Sequence, residues 1–247
     1  MNSYPAVLIT GSSRGIGRAA ALSFARQGYQ VFINGRPPGT ALYELQAQIQ
    51  DCYRVPCHVI AADVSDYPSM EEAFRKEIYT RVPRLHVLVN NAGISYSGLL
   101  QDMPEDAWDQ VLNVNLKSVY ICSKLAIAPM VQAHEGTILN VSSIWGVRGA
   151  SCEVAYSASK GAVNAFTQAL ARELAPSGIR VNAAAFGCID TAMNQSLAEG
   201  ERHELEEAIG VGRFGTAEEA AALLTFLASP DSSYINGQII TMDGCFL

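Results

Sequence analysis

A tyrosine and a lysine with helical spacing are the residues of this chain best suited to proton transfer. Tyr156 and Lys160 are four residues apart, and positions i and i+4 lie on one face of a helix. A phenol with an ordinary pKa of about 10 is a poor acid or base near neutrality, and an adjacent cation lowers that pKa. Ser143, thirteen residues before Tyr156, could hold a substrate oxygen. Many surface helices contain this spacing by chance, so the rest of the chain has to indicate a reaction.

The composition is typical of a globular enzyme. The chain has 247 residues, of which 49% are hydrophobic and 17% charged, and no linker or repeat divides it. The net charge of −7 argues against a nucleic-acid partner, and the apolar runs are shorter than the roughly 20 residues of a membrane helix. The first predicted strand leaves no room for a signal peptide, and the six cysteines show no zinc-like spacing. We therefore expect one cytoplasmic domain, 1–247, with no membrane partner and no metal.

Short β-branched segments alternate with amphipathic stretches, which predicts an α/β fold with a parallel sheet and helices on both faces. The predicted strands are 7–10, 30–34, 57–61, 86–90, 137–141, 179–184 and 238–242. The predicted helices are 15–27, 40–50, 67–80, 105–133, 154–175 and 217–228. The polar, acidic segment 190–212 interrupts this alternation, and we expect a substrate lid at about 188–212.

A glycine-rich turn between the first predicted strand and helix suits the pyrophosphate of a dinucleotide. Glycines let the backbone turn sharply and approach the phosphates, whose charge the helix N-terminus stabilises. The spacing is G-x-x-x-G-x-G, and a plain tight turn is the alternative. The residues are Thr10, Gly11, Ser12, Ser13, Arg14, Gly15, Ile16 and Gly17.

The end of the second predicted strand favours NADP(H) over NAD(H). NAD-binding sites place a carboxylate there for the ribose hydroxyls, whereas a 2′-phosphate requires arginine. This strand ends in Asn34-Gly35-Arg36 without a carboxylate, and Arg14 lies in the neighbouring glycine turn. Two guanidinium groups suit a phosphate dianion, although either could be a solvated surface charge.

Two further strand ends complete the predicted nucleotide site. Asp63, followed by Val64, is placed to accept a hydrogen bond from an adenine amino group. Its alternative role is a helix cap, which Ser65 or Asp66 could also provide. The fourth predicted strand ends in small residues, as expected where the backbone passes a ribose. They follow Asn90 and are Asn91, Ala92 and Gly93.

These motifs occur in the order in which the short-chain dehydrogenase/reductase family has them, and the sequence resembles that family over essentially all of its length. The resemblance implies a Rossmann-type, doubly wound parallel sheet of seven strands in the order 3-2-1-4-5-6-7. It also implies a homotetramer in which the long helices of 105–133 and 154–175 pack together. Small residues on the second of these helices would allow a close approach: Ala155, Ala158, Ser159, Ala162 and Ala165.

The resemblance assigns roles to four residues. Tyr156 would be the general acid in ketone reduction, and Lys160 would lower its pKa and hold the nicotinamide ribose. Ser143 would position the carbonyl oxygen, and Asn115 would hold a water in a proton relay to Lys160. Asn115 could instead bond a neighbouring carbonyl, and Ser143 could cap a strand end, for which Ser142 is an equal candidate.

The segment after the sixth predicted strand departs from the family pattern. Phe186-Gly187 stands where Pro-Gly is common, which removes a fixed φ and could place an aromatic ring against the nicotinamide or the substrate. The following residues still match, so the Ile189 backbone and the Thr191 hydroxyl could hold the carboxamide.

The substrate is a small carbonyl compound by resemblance, and the nearest pattern is that of 3-oxoacyl-carrier-protein reductases. Those enzymes bind an acidic carrier with basic residues, but the positions expected to do so here are His134 and Ser177, and the acidic 190–212 segment would repel it. We therefore prefer a free or CoA-linked ketone, with the carrier-protein substrate second and a non-catalytic NADP(H)-binding sensor as a remote alternative. Six residues are predicted to line an apolar pocket or else to pack in the core: Ile94, Tyr96, Trp145, Val147, Cys152 and Phe186.

Overall fold

A computed structural model describes residues 4–37, 39–192, 194 and 199–246. Its centre is a sheet of seven parallel strands in the order β3-β2-β1-β4-β5-β6-β7, which confirms the predicted fold class and strand order. The strands are β1 Ala6–Ile9, β2 Gln30–Gly35, β3 Cys57–Ala61, β4 Val87–Asn90, β5 Gly136–Ser143, β6 Ile179–Phe186 and β7 Ile239–Met242. Each of the seven strands overlaps the corresponding predicted segment.

The helices cover both faces of the sheet. They are α1 Gly15–Arg26, α2 Ala41–Tyr53, α3 Tyr67–Ala73, α4 Glu105–Leu112, α5 Ser118–Ala133, α6 Trp145–Arg148, α7 Val154–Leu174, α8 Glu199–Ala208 and α9 Ala217–Ala228. The predicted helix 67–80 continues from α3 into a π-helical turn, Phe74–Ile78. The predicted helix 105–133 is divided by a second π-helical turn, Asn113–Lys117, which matters for the site described below.

Two hydrophobic clusters fill the space between the sheet and its helices. Successive residues of β1 point to opposite faces of the sheet and so contribute to different clusters. Val7 and Ile9 belong to the cluster beneath α1, α2 and α9, and Leu8 belongs to the cluster beneath α3, α5 and α7. Burial on both faces explains why the strands are continuous apolar runs. A third, smaller cluster covers one end of the sheet and joins Ile144, Ile209, Phe214 and Phe246, with Trp145 packed against it.

The parallel arrangement places the carboxyl ends of all strands at one edge of the sheet. The glycine turn after β1, the arginine after β2 and the aspartate after β3 are therefore brought together, as in other doubly wound sheets. The predicted lid lies at the same edge after β6. Its described part contains α8, a helix that the sequence pattern did not predict, while residues 193 and 195–198 lie outside the described residues.

The small residues proposed for helix packing between subunits are not all on the surface. Ala155 and Ser159 are buried within the chain itself, whereas Ala158 and Ala165 are exposed. Only part of the predicted small-residue face of α7 is thus free to meet another subunit. In the described part of the chain, no helix combines the length and apolarity needed to cross a membrane.

Candidate active site

A cavity of about 490 Å³ opens along the carboxyl edge of the sheet. All of the residues predicted to bind the cofactor line it, as does Ser143. Among the residues predicted for catalysis and cofactor binding, Asn115 alone does not line the cavity, and it is buried. The lining residues that were predicted for the cofactor are Gly11, Ser13, Arg14, Gly15, Ile16, Gly17, Arg36, Asp63, Val64, Asn91, Ala92, Gly93, Tyr156, Lys160, Ile189 and Thr191.

The glycine turn is fastened to the end of β4. Gly11 has a φ of +63°, and a Cβ atom on it would lie only 2.8 Å from Ala92 Cα, so this position requires glycine twice over. Thr10 Oγ1 accepts hydrogen bonds from the backbone N–H groups of Asn91 at 2.9 Å and Ala92 at 3.0 Å. Asn91 Nδ2 in turn donates to the Thr10 and Gly11 carbonyl oxygens at 2.8 and 3.0 Å. The side chain of Asn91 therefore stabilises the turn.

Asn34, at the end of β2, is a lining residue to which the sequence analysis assigned no role. Its buried amide donates to the carbonyl oxygens of Ile60 and Ala62, both at 3.0 Å, and its Oδ1 accepts from Gly11 N at 3.4 Å. Asn34 N–H also donates to Ser12 Oγ at 2.8 Å. One side chain thus joins the ends of β1, β2 and β3, and its signal in the sequence was a polar residue closing an apolar strand.

Arg14 and Arg36 are exposed at the same part of the cavity. Neither side chain has a hydrogen bond or an ion pair with the residues that the structure describes. Both guanidinium groups can therefore bind an anion, although the charge of Arg36 also acts on Asp63.

Asp63 does not cap α3, and its contact with an adenine stays a prediction. Its Oδ1 accepts hydrogen bonds from Ser65 N at 2.8 Å and Ser65 Oγ at 2.6 Å, whereas the cap of α3 is Asp66, which accepts from Ser69 N. Burial acts to raise the pKa of Asp63, but the bonds from Ser65 and the charge of Arg36 outweigh it and hold that pKa below its ordinary value. An ionised carboxylate consequently lies on the cavity wall.

The structure distinguishes the two serines that end β5. Ser142 also lines the cavity, but its Oγ donates to Asn164 Oδ1 at 2.7 Å. Ser143 Oγ accepts from Trp145 N at 3.2 Å and makes a side-chain hydrogen bond with Tyr156. Ser143 therefore caps the strand end and also neighbours the phenol, and its positioning of a carbonyl oxygen stays a prediction.

Tyr156 and Lys160 meet as their spacing predicts, with Lys160 Nζ 5.7 Å from the centre of the phenol ring. Lys160 is only 3% exposed, its Nζ donates to Val141 O at 2.8 Å, and burial lowers its pKa to about 8. Burial also raises the pKa of Tyr156 to about 12; the bond from Ser143 opposes this shift and the charge of Glu153 adds to it. The predicted lowering by Lys160 does not hold in this structure, because desolvation of the phenol dominates.

Asn115 lies in the π-helical turn and is held by the backbone of Ile94. Its Oδ1 accepts from Ile94 N at 2.8 Å, and its Nδ2 donates to Ile94 O at 2.9 Å and to Ser159 Oγ at 3.0 Å. The alternative of bonding to a nearby carbonyl is thus realised. The water relay to Lys160 stays a prediction. It is compatible with Gly93, where a Cβ atom would lie 3.4 Å from Asn115 Oδ1 and 3.5 Å from Lys160 Nζ.

The six residues predicted for the substrate pocket have different positions. Ile94 and Phe186 line the cavity, and Phe186 is otherwise buried against the core. Trp145 packs edge-on against Phe246, with ring centres 5.6 Å apart, and Val147 is 56% exposed. These two are not lining residues, because the short helix α6 turns them away. Two more also lie outside the lining: Tyr96, which packs over Gly98, and Cys152, whose φ is +62°.

Comparison with known proteins agrees with this geometry. Residues 5–202 match the short chain dehydrogenase family. The 3-oxoacyl-acyl-carrier-protein reductase of Thermotoga maritima is 39% identical over 96% of this chain and 95% of its own length. A crystal structure of the enzyme of that name from Brucella melitensis superposes with a TM-score of 0.92, at 33% identity over 98% of this chain and 91% of that one. A putative gluconate dehydrogenase from Agrobacterium tumefaciens gives a TM-score of 0.93, at 30% identity over 97% and 94%. The chain therefore belongs to the short-chain dehydrogenase family and is an oxidoreductase that acts on C=O and CH–OH groups.

Proposed function

We propose that the chain is an NADPH-dependent reductase of a free or CoA-linked ketone. The observation that carries the proposal is that one cavity joins Ser143, Tyr156 and Lys160 with the guanidinium groups of Arg14 and Arg36, which have no partner among the described residues. Three groups suited to proton transfer and two cations suited to a 2′-phosphate are thereby placed around one dinucleotide-sized space. The family's nicotinamide cofactor would supply the hydride.

The residues present fit such a cofactor. The glycine turn brings backbone N–H groups and the N-terminus of α1 to the position of a pyrophosphate, and no side chain at Gly11 or Gly15 obstructs it. Arg14 and Arg36 would bind the 2′-phosphate, and the Asp63 carboxylate with Val64 would lie against the adenine. At the other end, the Ile189 backbone and the Thr191 hydroxyl would hold the carboxamide.

In the reduction, Tyr156 would donate its proton to the carbonyl oxygen that Ser143 holds. A phenol whose pKa is about 12 keeps its proton until a developing alkoxide, which is more basic, requires it. Lys160, whose pKa is about 8, can give and take a proton near neutrality and would restore the phenol through a water held at Asn115.

A 3-oxoacyl-acyl-carrier-protein reductase is the second candidate, and the names of the relatives favour it. The positions expected to bind an acidic carrier are a histidine and a serine here, and five glutamates lie in 199–207. A carrier with acidic residues would gain little attraction from such a surface.

We also propose that the protein is cytoplasmic and forms a homotetramer. The molar mass from light scattering would test the number of subunits.

The test compares one 3-oxobutyryl group on three carriers: CoA, acyl-carrier protein and a simple ester. We expect oxidation of NADPH with the CoA thioester or the ester, and a kcat/KM for the carrier-protein thioester that is no larger. A kcat/KM that is about 100-fold larger for the carrier protein would instead establish the second candidate. If the protein binds NADPH but does not oxidise it with any of these substrates or with a broad panel of ketones, it is a non-catalytic sensor.

A further inference from the structure

Arg202 of α8 connects three parts of the chain, and the mechanism above does not use it. Its Nη1 donates to Asp190 Oδ1 at 3.2 Å, and its Nε donates to Glu206 Oε1 at 3.0 Å. Its guanidinium carbon lies 4.5 Å from the centre of the ring of Phe214, which is buried in the small cluster at one end of the sheet. One side chain therefore joins α8 to the segment that follows β6 and to the segment that precedes α9.

The segment that follows β6 borders the cavity. Asp190 lies between two lining residues, Ile189 and Thr191, and its backbone N–H donates to Gly215 O at 2.8 Å. Thr191 lies against the glycine turn, since a Cβ atom on Gly15 would be 3.3 Å from Thr191 Cγ2. A shift of Asp190 would therefore move Thr191 relative to the space for the cofactor.

The other contacts of the guanidinium group hold it in place for Asp190. An isolated exposed ion pair contributes little, because water screens it and two long side chains lose freedom. Here Glu206 binds the guanidinium within the helix and the Phe214 ring lies against it, so the arginine is already oriented. The Asp190 carboxylate has its ion pair with this oriented group. We therefore expect Arg202 to act on the placement of Asp190 and only slightly on the stability of the fold.

We propose that Arg202 is a positioning residue for the nicotinamide end of the cofactor, which holds Thr191 in place through Asp190. The inference rests on the proposed function, in which the Ile189 backbone and the Thr191 hydroxyl hold the carboxamide, and adds a residue to it. A segment that is already in place costs less to order when the cofactor binds. The affinity for the whole cofactor would thus depend on Arg202, and the affinity for its adenosine half would not.

The test compares two ligands that share one end. NADPH and 2′,5′-ADP both carry the adenosine 2′-phosphate, but 2′,5′-ADP lacks the nicotinamide. Calorimetric titration gives Kd for each with the wild type, Arg202→Met, Asp190→Asn and the double variant. Arg81→Met is the matched control, because Arg81 is an exposed arginine in an ion pair of 3.0 Å with Glu77 and does not line the cavity.

We expect Arg202→Met and Asp190→Asn each to raise Kd for NADPH by about 3-fold to 10-fold, the effect of a contact that an aromatic ring supports. Kd for 2′,5′-ADP should stay within about 2-fold of the wild type, which a general loss of structure would not allow. The double variant should lose no more than either single variant, because both changes break the same contact. Arg81→Met should change neither value.

Three results would overturn the inference while leaving the proposed function intact: an unchanged Kd for NADPH in Arg202→Met, equal losses for both ligands, or additive losses in the double variant. A wild type that binds NADH in preference to NADPH would instead refute the proposed cofactor, and the same comparison with NADH and ADP would then decide the role of Arg202. A wild type that binds no nicotinamide cofactor would remove both.

Discussion

Asn115 and Lys160 approach each other across the α-carbon of Gly93. A Cβ atom on that glycine would lie 3.4 Å from Asn115 Oδ1 and 3.5 Å from Lys160 Nζ, both of them buried polar atoms. The two side chains come from different elements, a π-helical turn and α7, and the absent side chain leaves a space between polar groups where a water could be held.

Gly93→Ala should therefore interrupt proton transfer to Lys160. Gly93 has no positive φ, so the added methyl group changes the space more than the backbone. We expect kcat to fall about 10-fold or more, at the lower end of what one proton-transfer step contributes, with Kd for NADPH changed much less. Steady-state kinetics and a binding titration would measure this. Gly39→Ala, which meets no atom within 4 Å, is the matched control, and equal losses in both variants would contradict the relay.

Tyr156→Phe should remove most of the turnover without preventing cofactor binding. The ring keeps its packing near Lys160, and only the hydroxyl that bonds to Ser143 is lost. We expect kcat to fall at least about 100-fold. NADPH fluorescence on binding and single-turnover reduction would separate the two effects. Turnover near that of the wild type would show that another group is the acid.

The pair Arg14→Ala and Arg36→Ala should weaken NADPH binding far more than NADH binding. Neither guanidinium is occupied by another described residue, so their removal leaves no orphaned partner within the described part of the chain and the fold should be kept. Two charge-assisted contacts predict a rise of about 100-fold or more in Kd for NADPH and little change for NADH. Calorimetric titration with both cofactors would measure the ratio. Parallel losses would refute the assignment of the phosphate site.

Asn34→Ala should lower both stability and NADPH affinity. It removes the side-chain donor of the buried Ala62 carbonyl oxygen and one of two donors to the Ile60 carbonyl oxygen, which predicts a loss of about 1 to 3 kcal/mol in the free energy of unfolding. Urea denaturation gives that value. Gln46→Ala is the control. It removes a side-chain hydrogen bond of 2.7 Å to the carbonyl oxygen of Cys57, the first residue of β3, which lies away from the cavity, so NADPH binding should be unchanged.

The lowered pKa of Lys160 should make stability depend on pH in a defined direction. In the folded chain this pKa is about 8, against an ordinary value of 10.5. Between these values the unfolded chain binds the proton and the folded chain does not, so stability rises with pH and is lost as the pH falls through 8. Relative to Lys160→Met, the free energy of unfolding should rise by up to about 1.4 kcal/mol per pH unit. Denaturation at pH 7.5, 8.5 and 9.5 would test it, and a constant difference would contradict the shift.

The sequence predicted the strands because they are apolar on both faces, and a run such as 57–61 has the same bounds in the structure. It predicted the glycine turn and the Tyr156–Lys160 pair because their spacing is local along the chain. Asn34 was missed since its three partners lie on other strand ends, which no local pattern contains. The π-helical turn at Asn113–Lys117 was missed for a similar reason, because its central residue bonds to Ile94, far along the chain.

The pKa values of the site residues could not be predicted from sequence spacing either. A lysine four residues from a tyrosine suggested a lowered phenol pKa, but burial of both groups raises the pKa of Tyr156 to about 12 and lowers that of Lys160 to about 8. Burial is a property of the whole fold. Short helices such as α6 offer too few residues for a periodic pattern.

The small cluster that joins Trp145 to Phe246 has a practical consequence for work on this protein. Phe246 packs against the second residue after Ser143, and Arg148 Nη1 donates to its carbonyl oxygen at 3.1 Å. A substitution such as Phe246→Ala would therefore loosen the segment that directly follows Ser143, although the two positions are far apart along the chain.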